Sequence, residues 1–134
     1  MKKLLAIVVA LTCGLALAAC SKGGDAEKKS EGVMTYAEYE AAAVDSEVTI
    51  EAYVQAHQSW WDNKITVYAA DKEGAYFLYE MACTEEDAAK LVPGTKIKAK
   101  GFKSEWSGEV EIVDATFEIE DGNYVAEPED LTAL

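Results

Sequence analysis

The chain has little of what most catalytic or metal sites are built from. Among 134 residues there is a single histidine, His57, and no glycine-flanked serine accompanies it, so a nucleophile, base and orienting acid cannot be assembled in the usual way. A metal ion wants three or four convergent ligands. His57 and Asp62, five residues on, do not make such a set, and the loop acids Asp62, Asp71 and Glu73 lack the spacing of a calcium loop. With 25 Asp and Glu in the chain, any chosen pair of carboxylates is uninformative. The expectation is a protein that is not an enzyme and that carries no cofactor and no metal. Positive charge is scarce as well. Twelve lysines and arginines against those 25 acids leave a formal charge of −13, which repels a phosphate backbone and argues against nucleic acid as a partner.

What is present begins with an address. Lys2 and Lys3 open an apolar run from Leu4 to Leu11, which ends in small residues, the parts of a secretory signal. Leu17-Ala18-Ala19-Cys20 resembles the lipobox of bacterial lipoproteins. The resemblance implies a signal peptide over 1–19, cleavage before Cys20, and lipidation of the Cys20 thiol. The protein would then be anchored to a membrane on its extracytoplasmic side, at the outer face of the plasma membrane or in the periplasm or outer membrane. More than one acyl chain holds such an anchor stably, where one alone would not. Loss of Lys2 and Lys3 would take the mature charge to −15. Cys13 leaves with the signal and Cys20 is taken by lipid, so Cys83 stands alone, without a disulfide or a cysteine metal site, and reads as a small core residue. Residues 20–32 hold the anchor cysteine and a polar, glycine-containing stretch expected to be a flexible tether.

Beyond the tether, Thr35-Tyr36-Ala37-Glu38 spells a capping box and predicts a short helix from Tyr36 to Ala43, whose Tyr36 and Tyr39 share a face that would plug one end of a barrel. Val48, Ile50, Ala52, Val54 and Ala56 then alternate with polar residues in a first strand. Ile65, Val67 and Ala69 do the same in a second. Asp71 to Gly74 is read as a hairpin turn in which Gly74 supplies a positive φ. The third strand, Ala75 to Met81, is aromatic on both faces and its inward side cannot be assigned. Thr84 caps a helix through Leu91, stopped by Pro93-Gly94. A fourth strand, Lys96 to Phe102, places Lys96, Lys98 and Lys100, with Lys103, on a solvated face paired with Glu109, Glu111 or Asp114, and Gly101 permits a sharp bend. The fifth strand, Glu109 to Glu120, changes phase between Ile112 and Val113, which predicts a β-bulge. From Asp121 the chain is acidic, and a loose tail is expected, assigned to 127–134.

This order of strands and helices, with a helix between the third and fourth strands, resembles the OB-fold, a five-stranded Greek-key barrel, and more narrowly the secreted bacterial OB-fold lipoproteins of the anticodon-binding-like type. The expected class is all-β with short helices, a β-β-β-α-β-β barrel over residues 33–126 preceded by a short N-terminal helix. The resemblance implies binding on the face of strands two and three, between the first-to-second and fourth-to-fifth strand loops. Trp60, Trp61 and Trp106 lie on those loops and Tyr68 on the outer face between them. Together they are expected to form an aromatic platform for a small molecule, glycan or peptide. The alternatives are an adaptor domain docking an envelope protein partner and, more weakly, single-stranded nucleic-acid binding by fold analogy. The protein is expected to be a monomer.

Overall fold

Alternation of apolar and polar side chains sets the inward face of each strand, and the strands then close on one another. The computed structural model describes residues 28–128 and 132. The signal peptide, Cys20 and the first part of the 20–32 segment lie outside the described residues, as does most of the acidic tail. In β1 (Glu47–His57) Val48, Ile50, Ala52 and Val54 are buried. After Val54 the register against the second strand shifts, and Ala56, expected inside, is exposed. In β2 (Lys64–Ala70) Ile65, Val67 and Ala69 point inward. In β3 (Ala75–Ala82) the inward set is Tyr76 and Leu78, and then, past Glu80 with its φ of 44°, Met81. Phe77 and Tyr79 therefore face out.

β1 pairs with β2, β2 with β3, and β4 (Thr95–Trp106) with both β1 and β5 (Glu109–Asn123), all antiparallel. β3 meets β5 in parallel at Leu78 and Ile112, closing a barrel in the order β1-β2-β3-β5-β4. Helix α1 (Tyr36–Ala41) precedes β1, and α2 (Glu85–Ala88) joins β3 to β4. This is the OB topology expected from the sequence. The interior is filled by Ile50, Ile65, Leu78, Met81, Leu91, Ile97 and Ile112, each under 2% exposed, every one worth roughly 1.5–3 kcal/mol of transfer free energy.

Closure depends on one crowded point. An added Cβ at Gly101 would lie 2.7 Å from the Val113 carbonyl oxygen and 2.8 Å from Ile112 Cγ2. Opposite Gly101 the β4–β5 register shifts, with Asp114 at φ 51°. The expected bulge is thus real but centred on Asp114, so that Ile112 and Ala115 are the buried pair. Ile119, expected inward, is 41% exposed. Among the described residues the β3–β5 ladder lies at Leu78 and Ile112, before the bulge.

Helix α1 is fixed on the barrel by a short-range cap and by long-range contacts. Thr35 and Glu38 form the reciprocal capping box, and α1 lays Tyr39, 4% exposed, against Tyr76 with ring centroids 5.0 Å apart. Gly74 does not have positive φ; an added Cβ there would clash with the ring carbons of Tyr36, so the glycine makes room for α1. Lys103 is not on the solvated face. It follows Ile97, Ala99 and Gly101 in the inward phase of β4, is 6% exposed, and donates from Nζ to the carbonyls of Tyr39, Glu40 and Ala42 at 2.7–2.9 Å. The Glu40 and Ala42 carbonyls at the C-terminal end of α1, where a helix leaves such groups without partners, are thereby satisfied, and that of Tyr39 gains a donor besides the Ala42 amide. The outer lysines also choose other partners than expected: Lys96 pairs with Glu51 at 3.1 Å and Lys100 with Glu47 at 3.2 Å, both on β1.

The end of the 20–32 segment departs from a free tether. Lys29 Nζ donates to the Glu51 carbonyl at 2.8 Å and to Asp71 Oδ2 at 2.9 Å, and the Ser30 amide donates to Glu51 Oε1 at 3.1 Å. At the other terminus Gln55 holds the Tyr124 carbonyl and the Ala126 amide, and Tyr124 packs edge-on against Tyr53. The strand and its clasp therefore run past Asp121, as far as Ala126.

Candidate functional site

The connection from β1 to β2 is itself a small hairpin. Trp61 and Lys64 exchange both backbone hydrogen bonds at 3.0 Å across Asp62 and Asn63, which take φ of 50° and 58°, the left-handed pair of a type I′ turn that these residue types tolerate. Successive side chains of an extended segment point opposite ways, and the two tryptophans part accordingly. Trp60 turns inward, half-buried against the core, its Nε1 donating to the Cys83 carbonyl at 2.9 Å. Trp61 is 80% exposed. It lines a polar cleft of about 300 Å³ with Gln58, Asp62, Lys64, Thr66 and Glu80, where Lys64 and Glu80 form a half-exposed ion pair at 3.2 Å.

Along the outer face of β2 and β3 runs a row of rings. Tyr68 stacks on Phe77 with centroids 5.2 Å apart and planes 19° from parallel, and Phe77 meets Tyr79 at 6.3 Å. Gln58 Nε2 donates to the Tyr68 hydroxyl at 2.9 Å, tying the first loop to this row. The row continues to Trp106, 73% exposed at the end of β4. The loop expected over Ser104–Gly108 is only the two-residue turn Ser107-Gly108, both at positive φ, so Trp106 sits on a strand directly opposite Glu109. Phe77, Tyr79, Trp106, Glu109 and Glu111 together line a second cleft of about 390 Å³.

Of the four aromatic residues singled out in the sequence, Trp61 and Trp106 are the exposed indoles, on separate clefts, and Tyr68 stands in the row on the outer face. Trp60 is placed otherwise, as a loop anchor. Phe77, Tyr79, Glu109 and Glu111 were not foreseen, because a strand apolar on both faces conceals which side is outer until its partners are known.

The electrostatics of the second cleft are one-sided. Burial, and then the neighbouring Glu109, raise the proton affinity of the Glu111 carboxyl. Neither acid forms an ion pair or hydrogen bond with another side chain among the described residues. Cys83, below Trp60, is buried, and burial followed by the charge of Asp87 pushes its thiol up. Its Sγ donates to the Thr84 carbonyl at 3.2 Å. A thiol so held is a poor nucleophile.

No family model matches this chain, and no curated protein matches it. Among solved structures it is similar to the p204 HINb domain, at 11% identity and a TM-score of 0.52 over 66% of this chain and 47% of that one. It is also similar to asparaginyl-tRNA synthetase from Pyrococcus horikoshii, at 17% identity and a TM-score of 0.48 over 61% of this chain and 21% of that one. A third is a replication protein A heterotrimer bound to ssDNA, at 14% identity and a TM-score of 0.43 over 66% and 63%. The chain spans about half the length of the HINb structure and about a fifth of the synthetase chain. The likeness is one of architecture, and with the closed strand order it makes the fold an OB barrel.

Proposed function

We propose that this protein is a binding domain rather than an enzyme, lipid-anchored at Cys20 outside the cytoplasmic membrane, and that it holds an extended ligand, a glycan or a peptide, across the outer face of β2 and β3. The observation that carries this reading is the outer row of Tyr68, half-buried Phe77 and Tyr79 leading to Trp106, on the face that OB barrels use for ligands. Rigid aromatic side chains offer large contact area at little entropic cost. Trp61, on the adjoining polar cleft, extends the surface toward the first loop, and Trp60 holds that loop in place.

Parallel glycan and peptide arrays of the full chain and of a Tyr79→Ala/Trp106→Ala variant test it. A ligand retained by the wild type and lost by the variant supports the reading, and equal retention by both moves the site elsewhere. Mass spectrometry of the mature N-terminus, after growth with a clickable fatty acid, tests the anchor: an unmodified Cys20 in an uncleaved chain removes the address.

A second reading, single-stranded nucleic acid, has its own observation. The parallel stack of Tyr68 on Phe77 offers the kind of platform on which bases stack,. The face also carries Glu80, Glu109 and Glu111, while its lysine, Lys64, is already paired, so phosphates would meet repulsion. Retention of oligothymidine at low salt, lost in the Tyr68→Ala variant, would favour this second reading over the first.

A further inference from the structure

We infer that the cleft between Trp106 and Tyr79 is a receptor for the cationic side chain of a basic peptide segment, an arginine or a lysine, with Glu109 and Glu111 as its counter-ions. This rests on the aromatic-face reading above and narrows it to one class of ligand. Three features of the cleft converge on a cation. Its walls are the rings of Phe77, Tyr79 and Trp106, and the faces of tyrosine and, best of all, tryptophan attract an ammonium or guanidinium group held within about 6 Å of the ring centroid. Its rim carries Glu109 and Glu111 on adjacent outward positions of β5, and the β4 residues opposite them are Trp106 and Ser104, so no lysine faces either acid across the ladder. Its volume of about 390 Å³, at the low end of the range for ligand clefts, has room for a long side chain and a little of its backbone,.

The placement of the acids matters more than their number. Two carboxylates that face the same cleft repel each other, and the raised proton affinity of Glu111 records that repulsion together with burial,. A cation entering between them and the indole relieves the repulsion and exchanges water for ring faces. A neutral sugar would stack on the same rings and leave the two charges unanswered, and a phosphate would add a third negative charge. An arginine would serve best, since its planar fork meets carboxylates with two parallel hydrogen bonds and its plane stacks on indole. The surplus of negative charge over the whole molecule, formally −13, would draw a basic segment in and speed its encounter.

The test uses the full chain, a fluorescent arginine–glycine peptide, its citrulline counterpart, which keeps the shape and loses the charge, and cellohexaose. The expected result is that the arginine peptide binds about tenfold or more tightly than the citrulline peptide. Trp106→Ala and the pair Glu109→Gln/Glu111→Gln should each weaken it several-fold, whereas Glu73→Gln, on the exposed β2–β3 turn, should leave it unchanged. These positions are exposed or half-exposed, and thermal melts matching the wild type establish that the variants fold. Equal binding of arginine and citrulline peptides, or tighter binding of cellohexaose, with loss in Trp106→Ala, would overturn the cation while leaving the aromatic face intact. Equal weakening by Glu73→Gln and Glu109→Gln/Glu111→Gln would reduce the effect to diffuse attraction and overturn the inference. So would no binding of the arginine peptide at low salt. Binding indifferent to both Trp106→Ala and Tyr79→Ala would overturn the cation and the face together.

Discussion

Asp71 at the end of β2 receives the ammonium of Lys29, 42 residues earlier in the chain, at 2.9 Å, with side chains 1% and 8% exposed respectively. The same carboxylate accepts from the Tyr76 hydroxyl at 2.7 Å and from the amides of Glu73 and Gly74. One acid thus closes the β2–β3 turn, orients a core tyrosine and fastens the segment that leads in from the N-terminus. Asp71→Ala strips all of these at once and is expected to cost about 3 kcal/mol. Lys29→Ala leaves Asp71 its other donors and should cost about 1 kcal/mol. Urea unfolding of the two variants measures both, and equal losses would show that the lysine, not the acid, is the centre of the arrangement.

The acid limb of stability follows from the same group and from Glu51. Burial alone would raise both carboxyls. Lys29, Tyr76 and the turn amides outweigh it at Asp71, and Ser30 and Lys96 outweigh it at Glu51, so both lie below their ordinary values of 3.8 and 4.5. The unfolded chain therefore takes up protons first as pH falls. Their contribution is fully present above those ordinary values and is lost as pH drops through the lower folded ones. Glu111, shifted up, works in the opposite sense. The urea midpoint should be level above about pH 6 and fall toward about pH 3, with Asp71→Asn lowering the plateau and flattening the fall.

Lys103 ties α1 to the barrel. Lys103→Met keeps the packing of the stem and removes the three donors that answer Tyr39, Glu40 and Ala42. The expected loss is about 2 kcal/mol, with faster hydrogen exchange in α1 than in β1. Unchanged exchange across Tyr36–Ala41 would show that the Tyr39 and Tyr76 rings hold the helix without the lysine.

Gly101→Ala should be costlier than its single methyl suggests. The methyl meets backbone at 2.7 Å from the Val113 carbonyl, and backbone at a bulge has little room to yield, so a loss of about 2–3 kcal/mol is expected. A melting temperature equal to the wild type would show that the bulge slips to make room.

How much of this was legible depends on the distance over which each contact is decided. The capping threonines Thr35 and Thr84 act within three residues, and both read correctly as N-caps. The alternation in β1 and β2 is likewise local, and with the helix before β4 it was enough for the barrel. Gly74 and Lys103 were misread because their reasons lie on α1, far away in the chain. Lys103 did carry a signal: counting by twos from Ile97 lands on it, and a charged residue in an inward phase asks for buried acceptors. In the candidate site, Trp61, Tyr68 and Trp106 stood out as aromatics, though Trp106 lies on β4 and not on the loop expected for it. Phe77 and Tyr79 needed the pairing of β3 with β5 to show which side was outer, and Glu109 and Glu111 needed the β4–β5 register, which sets Trp106 and Ser104 opposite them.

The parting of Trp60 from Trp61 can be read directly in solution. Trp60→Ala removes an indole packed on the core and its hydrogen bond to the Cys83 carbonyl, and should cost about 2–3 kcal/mol. Trp61→Ala and Trp106→Ala remove side chains 80% and 73% exposed, and each should shift stability by no more than about 0.5 kcal/mol. In variants retaining one tryptophan each, Trp60 should emit furthest to the blue and resist acrylamide, while Trp61 and Trp106 emit to the red and quench freely. Binding of a ligand on the outer face should then move the emission of Trp106 and leave that of Trp60 still. A signal that came from Trp60 instead would mean that the ligand opens the first loop, and the rigid aromatic row would no longer describe how this barrel binds.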